Sequence, residues 1–398
     1  MNDDSDRAAA LRRRLADDLE ASGDLRSKLW RHAVETVPRH LFLTEFFQRA
    51  DTPGLTHWDP VRRDHDPARW LDLVYQNETW VTQLDRTVGP HEVTGPVGGD
   101  PSSSSTLPGL VVRMLEDLDV VDAVNVLEIG TGSGYSTALM CDRLGEKHVT
   151  SIEVDPDIAA RASVTIDAAG YRPRLVCGDG LAGDLQGAPY DRVIATCSVR
   201  MIPGAWLEQA APGAVILATV TGWFHGFGLA RLTVGDDGTA EGSFLPGTVS
   251  FMIARPQSAP ALDDSSRSEL IAATAAAEPR RAVVGGDIRH DWMGRFVAQL
   301  AAPRAIWVTM SVDGGPLVEY IADASSRSWA AVSRDPDDGW SVRQVGPVPL
   351  WDDIEAGVMA WERAGSPSIE HFRIGTDGHR QTVWLDTDGG TVRWSMSE

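Results

Sequence analysis

The spacing of apolar positions changes along the chain. Leu11, Leu15 and Leu19 recur every fourth residue, which predicts a helix over residues 6–22. Ser22-Gly23-Asp24 breaks it. Asp24 is placed to cap a second helix with Leu25, Leu29 and Val34 to Val37 on its apolar side, and Pro38 ends that helix. LFLTEFF follows and should pack on the next domain. Residues 51–70 read as loop, 71–84 as short strands, and the Gly/Pro/Ser-rich stretch 89–105 as a flexible loop of functional length.

From Thr106 the pattern becomes an alternation of helices and short apolar runs. Helix 108–118, strand 124–129, a glycine turn, helix 135–144 and strand 148–153 succeed one another. Asp155-Pro156 then opens a further helix, and strands 174–177, 192–196 and 214–219 follow, with a helix near 204–210. Such alternation predicts an α/β fold, a doubly wound parallel sheet of Rossmann-like type with helices on both faces. Weak alternation over 222–254 predicts antiparallel strands completing that sheet. Composition turns to a linker at 256–265. The tail beyond it reads as an α+β domain, with strand-like pieces 305–312, 317–322, 329–333 and 382–385, a helix over 351–363, and eight of the fourteen tryptophans. The expected organisation is an N-terminal helical subdomain with a substrate loop (1–105), a cofactor-binding core (106–255) and a C-terminal α+β domain (262–398).

A length of 398 residues suits more than one domain. The net charge of −21 disfavours nucleic acid, whose phosphates need a basic face, and an anionic membrane for the same reason. Cys141, Cys177 and Cys197 are scattered and lie in or beside apolar segments, the pattern of reduced, buried thiols, and no pair has metal-ligand spacing. The N-terminus lacks an apolar signal core and no apolar run is long enough to span a bilayer, so a cytoplasmic location is expected.

The candidate chemistry sits at residues 126–135, VLEIGTGSGY. Gly130, Gly132 and Gly134 directly after a buried strand let backbone approach a ligand closely, and the next helix turns its N-terminal N–H groups to the same place. The turn residues Thr131, Ser133 and Tyr135 belong to the same candidate set. This turn alone also suits a dinucleotide. Glu153 ends the following strand, where a carboxylate can accept from both ribose hydroxyls or can simply be a surface group. Val154 adjoins it. Asp179 follows the third strand and can accept from an adenine amino group, with Gly180 leaving room for the ring, or the pair can be a plain turn. Glu128 can orient the turn and approach a cationic ligand end.

VLEIGTGSGYSTAL, with SIEVD, CGDG and APYDRVIAT downstream, resembles the protein-L-isoaspartyl O-methyltransferases. Val37-Pro38-Arg39-His40-Leu41-Phe42 is similar to that family's N-terminal signature, and the likeness extends over roughly residues 25–220. The resemblance implies S-adenosyl-L-methionine as cofactor, S-adenosyl-L-homocysteine as product, and methylation of a carboxylate on a peptide or protein. It carries over Gly130 to Tyr135, Glu153, Asp179 and Gly180 as cofactor contacts. Where the family has Ser-x-Pro, this chain has Thr106-Leu107-Pro108. A longer loop precedes that motif, Cys197-Ser198-Val199-Arg200 replaces a small-residue run, and the tail is foreign to the repair enzymes. That combination resembles a longer actinobacterial branch that esterifies an ordinary aspartate in ribosomally made peptides such as graspetides, lanthipeptides and lasso peptides, leading to succinimide (aspartimide) or isoaspartate.

Methyl transfer to a carboxylate needs no general base, because the nucleophile is ionised at neutral pH. It needs a donor that holds one carboxylate oxygen. Thr106 is the catalytic candidate, with Ser105 beside it and Arg200 as a further substrate contact. The competing readings are a helix cap for Thr106 and a solvated arginine for Arg200. His40 and His91, lacking partners in the pattern, are read as packing or surface residues. The function expected is a peptide-maturation aspartyl methyltransferase; the alternatives are a general isoaspartyl repair enzyme and a non-catalytic peptide-binding methyltransferase fold. The tail is expected to help hold the peptide.

Overall fold

The computed structural model describes residues 2–52, 55–311, 314–335, 339–387 and 389–397. The chain divides into two compact units. The first holds residues up to Cys197 together with Ala205–Leu217, and the second holds Ser198–Gly204 and everything from Ala218 onward.

The first unit opens with helices α1 (Asn2–Ser22) and α2 (Lys28–Thr36). Leu15 and Leu19 are buried as the four-residue spacing requires. The cap of α2 is Ser27, whose hydroxyl accepts from the Trp30 N–H, and not Asp24. Starting the helix there turns Trp30, Ala33 and Val34 inward and leaves Leu29 exposed, contrary to the expected apolar side.

Residues 45–105 hold more order than expected. Strands β1 (Glu45–Thr52) and β2 (Leu55–Arg62) form an antiparallel hairpin, helix α3 (Pro67–Val74) follows, and β3 (Trp80–Leu84) and β4 (Pro101–Ser105) complete a sheet of order β2-β1-β3-β4. The run PSSSS, read as flexible loop, is therefore an edge strand paired with β3 through Trp80–Ser105 and Val81–Ser104. Its order comes from tertiary pairing, since serine has no strong strand preference of its own.

The core continues with α4 (Pro108–Asp117), β5 (Val126–Ile129), α5 (Tyr135–Leu144), β6 (Val149–Glu153), α6 (Pro156–Ala168), β7 (Arg174–Cys177), β8 (Tyr190–Val199), α7 (Gly204–Gln209) and β9 (Ala210–Val220). The strand order is β9-β8-β5-β6-β7, and β5 runs parallel to both β6 and β8. Val126, Leu127, Ile129, Val149 and Ile152 are all buried, as strands covered on both faces require. This is the doubly wound α/β arrangement that the alternation predicts. Asp155 caps α6 by accepting from the Asp157 and Ile158 N–H groups.

In the second unit β10 (Gly228–Val234) and β11 (Ala240–Phe244) form a hairpin, followed by α8 (Asp264–Ala276), β12 (Arg280–Ala282) and α9 (Trp292–Ala301). Then come β13 (Ile306–Ser311), β14 (Leu317–Asp323), β15 (Ser328–Asp335), β16 (Gly339–Val345), α10 (Leu350–Arg363), β17 (Phe372–Thr376), β18 (Arg380–Thr387) and β19 (Gly390–Ser397). The expected boundary at the 256–265 linker and the observed division differ because β11 pairs with β17, which ties residues 228–244 to the tail. The strand pieces foreseen in the tail correspond to β13, β14, β15 and β18, except that Val312 lies outside the described residues. Trp329, Trp351 and Trp361 are buried and the tail's other five tryptophans are half-buried. Among the described residues, no helix is long and apolar enough to cross a membrane.

Candidate active site

The glycine turn follows β5. Gly130, Gly132 and Gly134 have φ of +97°, +54° and +88°, a left-handed region costly for residues with a Cβ. The three positions differ in their surroundings. A Cβ on Gly130 would stand 2.8 Å from Thr196 Oγ1, and one on Gly134 would stand 2.8 Å from Ile166 Cγ1. A Cβ on Gly132 would meet only the Ser104 carbonyl, at 3.6 Å, so the turn is packed at its two ends and open at its middle. Thr196 holds the first end by donating its hydroxyl to the Ile129 carbonyl at 3.1 Å and to that of Gly130.

Below the turn, Glu128 is fully buried. Its carboxylate accepts from Ser136, from Thr137 at 2.5 Å and from Ser151 at 2.7 Å, and burial raises its pKa. Three hydroxyls occupy it, so it supports the turn from beneath; the expected approach to a ligand is replaced by this internal role. Thr131 is buried and its hydroxyl bonds Ser151 at 2.7 Å. The Tyr135 ring is likewise internal. It packs on Phe42 at 5.9 Å with the Arg39 guanidinium 5.7 Å from its centre, which leaves only its backbone at the head of α5 to meet a ligand.

Glu153 stands across from the open middle. One carboxylate oxygen accepts from the Gly132 N–H at 2.9 Å and the other from the Asp155 N–H at 3.1 Å. A carboxylate offers about four lone-pair sites, so about two remain for outside donors such as a vicinal diol. Val154 is exposed beside it and presents an apolar surface. Asp179 is exposed at the end of β7, with one oxygen accepting from the Leu181 N–H at 2.9 Å. Gly180 is buried against Ile129, where a Cβ would come within 2.5 Å of Ile129 Cγ2, and its carbonyl accepts from buried Trp206 at 2.8 Å. An open glycine backbone, a carboxylate with spare acceptor sites and an apolar edge fit a ribonucleoside cofactor with an extended polar tail.

On the other side of the turn lies the end of β4. Ser133 Oγ donates to Ser105 Oγ at 3.4 Å, a long contact, and Ser105 is buried. Thr106 is half-buried and its hydroxyl has no partner among the described residues. The helix-cap reading of Thr106 does not hold. The cap position of α4 is Leu107 and carries no side-chain hydrogen bond; instead Thr79 Oγ1 accepts from the Leu107 N–H at 3.0 Å and Asn77 Oδ1 from the Gly109 N–H at 2.7 Å.

Arg200 belongs to the second unit, where its guanidinium sits 3.7 Å over the Trp223 ring and donates to the Pro303 carbonyl at 2.8 Å. Burial lowers its pKa. The stacked, half-buried guanidinium replaces the solvated-arginine reading, while its Nε, also buried, has no hydrogen-bond partner among the described residues. His40 bonds the Tyr75 hydroxyl at 2.6 Å, and burial with nearby Arg12 and Arg63 holds its pKa down to about 4. His91 pairs with Glu45 at 2.7 Å on the surface. Of the cysteines, Cys141 is buried, Cys197 half-buried with its pKa pushed up to about 12 by burial, and Cys177 exposed, contrary to the expected burial.

Sequence reasoning missed Arg39, Asn77 and Thr79. Arg39 stood inside the quoted VPRHLF signature, but its partners are all backbone carbonyls, which no residue pattern displays.

This fold, with its open glycine turn and the acidic residue ending the next strand, fits the S-adenosylmethionine-dependent methyltransferase class. Residues 78–227 match the family described as protein-L-isoaspartate(D-aspartate) O-methyltransferase (PCMT). The protein-L-isoaspartate O-methyltransferase of Hyperthermus butylicus is 30% identical over 219 residues, covering 52% of this chain and 74% of the relative. That of Ignicoccus hospitalis is 34% identical over 145 residues, 36% of this chain and 68% of the relative. The chain therefore belongs to the protein-L-isoaspartate O-methyltransferase family. With the enzyme of that name from Methanococcus maripaludis (strain C5) it shares 41% identity over 118 residues, so it spans 56% of that relative's length. A solved structure of a protein-L-isoaspartate O-methyltransferase superposes with a TM-score of 0.52 at 20% identity, covering 96% of this chain and 98% of the other.

Proposed function

We propose that the chain methylates the free carboxylate of an isoaspartyl residue in a peptide or protein, using S-adenosylmethionine. The carrying observation is the unpartnered Thr106 hydroxyl at the end of β4, where the adjoining Ser105 touches Ser133 of the glycine turn. S-adenosylmethionine supplies an electrophilic methyl on its sulfonium. In this reading Glu153 accepts from the ribose hydroxyls, the Gly132 backbone meets the methionine portion, and Val154, Asp179 and Gly180 bound the adenine. Thr106 donates its hydroxyl to one carboxylate oxygen and leaves the other to attack. The carboxylate arrives ionised, so alignment and exclusion of water are the tasks of the site. The ester is a better leaving group than the acid, and attack by the following backbone nitrogen closes a succinimide with release of methanol.

A second reading shares this site and differs in substrate: esterification of an ordinary aspartate in a ribosomally made, modified peptide. Threonine in place of the family's serine is the feature that favours it. Mass spectrometry of paired aspartyl and isoaspartyl peptides, incubated with enzyme and S-adenosylmethionine, separates the two. Methyl gain on short isoaspartyl peptides alone supports the first reading, and methyl gain followed by methanol loss on an aspartyl peptide alone supports the second. Thr106→Ala should lower turnover by about tenfold or more, the worth of one well-placed transition-state donor, with little change in Tm. Equal losses in both would remove Thr106 from the chemistry.

A further inference from the structure

Arg39 is fully buried, yet none of its hydrogen bonds goes to a carboxylate. Its guanidinium donates to four backbone carbonyls. One amino group reaches Val74 at 2.5 Å and Gln76 at 3.0 Å, and the other reaches Glu78 and Thr106, each at 3.3 Å. Burial holds its pKa down to about 10, still well above neutrality, so it is a cation taken out of water. The four carbonyls match the N–H groups of both amino nitrogens, a use for which a planar fork of donors is suited, and only Nε, also buried, has no partner among the described residues.

The four carbonyls belong to two segments that meet nowhere in sequence, residues 74–78 and Thr106. The first segment contains Asn77 and runs into Thr79, whose side chains accept from the Gly109 and Leu107 N–H groups respectively at the head of α4. Thr106 is thus gripped on both sides, by Arg39 at its own carbonyl and by the 77–79 turn at the residues just after it. A Cβ on Gly109 would stand 2.8 Å from Asn77 Nδ2, so the turn and the helix head are in close packing. The same guanidinium lies beside the Tyr135 ring at the start of α5.

We infer that Arg39 is a positioning residue for methyl transfer: it latches residues 74–78 to Thr106 and so sets where the Thr106 hydroxyl stands relative to the glycine turn. The inference rests on the proposed role of Thr106. Lysine offers one ammonium in place of the fork and reaches fewer of the four oxygens. Displacement of a reacting group by about 1 Å can cost on the order of 100-fold in rate, so a loosened latch should be visible in turnover.

The test uses the full chain and two variants. Arg39→Lys strikes the latch at its centre. Thr79→Ala strikes its rim at an exposed residue, and keeps the test alive if Arg39→Lys does not fold. Both should lower kcat on the responsive peptide, Arg39→Lys by about tenfold or more and Thr79→Ala by a smaller factor, while the Kd for S-adenosylmethionine by calorimetry stays within about twofold. In a Thr106→Ala background each should lose most of its effect. Rate losses that multiply across the double variants, or a Kd that rises as kcat falls, would overturn the inference. Hydrogen exchange at the Leu107 and Gly109 amides needs no substrate and should quicken in both variants. If wild-type enzyme methylates neither peptide, the proposed function fails and the exchange result decides the latch, with unchanged exchange rejecting it.

Discussion

Gly132→Ala separates folding from cofactor binding at the centre of the turn. At φ of +54° an alanine meets the left-handed penalty, about 1–2 kcal/mol, and no close contact, since its Cβ would find only the Ser104 carbonyl at 3.6 Å. For a unit of roughly 150–250 residues each kcal/mol lowers Tm by about 2–4 °C, so the expected fall is roughly 2–8 °C. The added methyl, however, stands on the open side of the turn, where the cofactor's backbone must come closest. We expect the Kd for S-adenosylmethionine to rise at least about tenfold, corresponding to ~1.4 kcal/mol. Gly134→Ala is the control. Its Cβ would be driven to 2.8 Å from buried Ile166, adding an overpacking cost of about 1–3 kcal/mol to the same backbone penalty. Calorimetric titration and thermal melts of the two proteins should thus show the larger Tm loss in Gly134→Ala and the larger affinity loss per degree in Gly132→Ala. Cofactor affinity within twofold of wild type in Gly132→Ala would refute the placement of the ligand over the open middle of the turn.

Glu153→Gln keeps an acceptor for one backbone N–H but loses the charge offered to outside donors; hydrogen bonds to charged groups are worth about 1.5–3 kcal/mol, so cofactor Kd should rise at least about tenfold, and an unchanged Kd would rule out the ribose role. His40 titrates in the folded chain near 4, below its ordinary value of 6.5, so the folded state resists its protonation; stability is full above about pH 6.5 and declines as pH falls toward 4. His40→Gln should flatten the dependence of Tm on pH across that window, and an identical slope would remove His40 as its source. Arg200→Ala should leave KM for the peptide unchanged and lower stability by about 1–2 kcal/mol in urea melts, since it removes a stacked, partly desolvated cation from Trp223; a raised KM at unchanged stability would return Arg200 to the substrate.

Patterns of spacing made the first half of this protein's argument. Buried strands sheathed by helices have near-continuous apolar runs, so β5, β6 and β8 and their order of appearance were readable directly. So was the turn, because three left-handed positions in five residues demand glycine. The hairpin β1–β2 and the strand β4 were not readable. Their residues are polar or mixed; β1 and β2 pair with each other as a local hairpin, and β4 is ordered by a ladder to β3 across the intervening Gly/Pro-rich stretch.

The site divides along the same line. Gly130, Gly132, Gly134, Glu153, Asp179 and Thr106 could be named from the chain because each is tied to the end of a predictable element. Their functions could not be apportioned that way. Whether Glu128 reaches a ligand or props the turn depended on three hydroxyls converging on it from α5 and β6. Whether Thr106 caps a helix or stays free depended on Asn77 and Thr79 taking the cap's place. Arg200 found a stacking partner in Trp223 rather than a role as a free cation. Local sequence determines backbone preference and burial pattern, because these depend on each residue and its near neighbours. Which donor meets which acceptor depends on distances between segments far apart in the chain, and only the folded packing sets those distances.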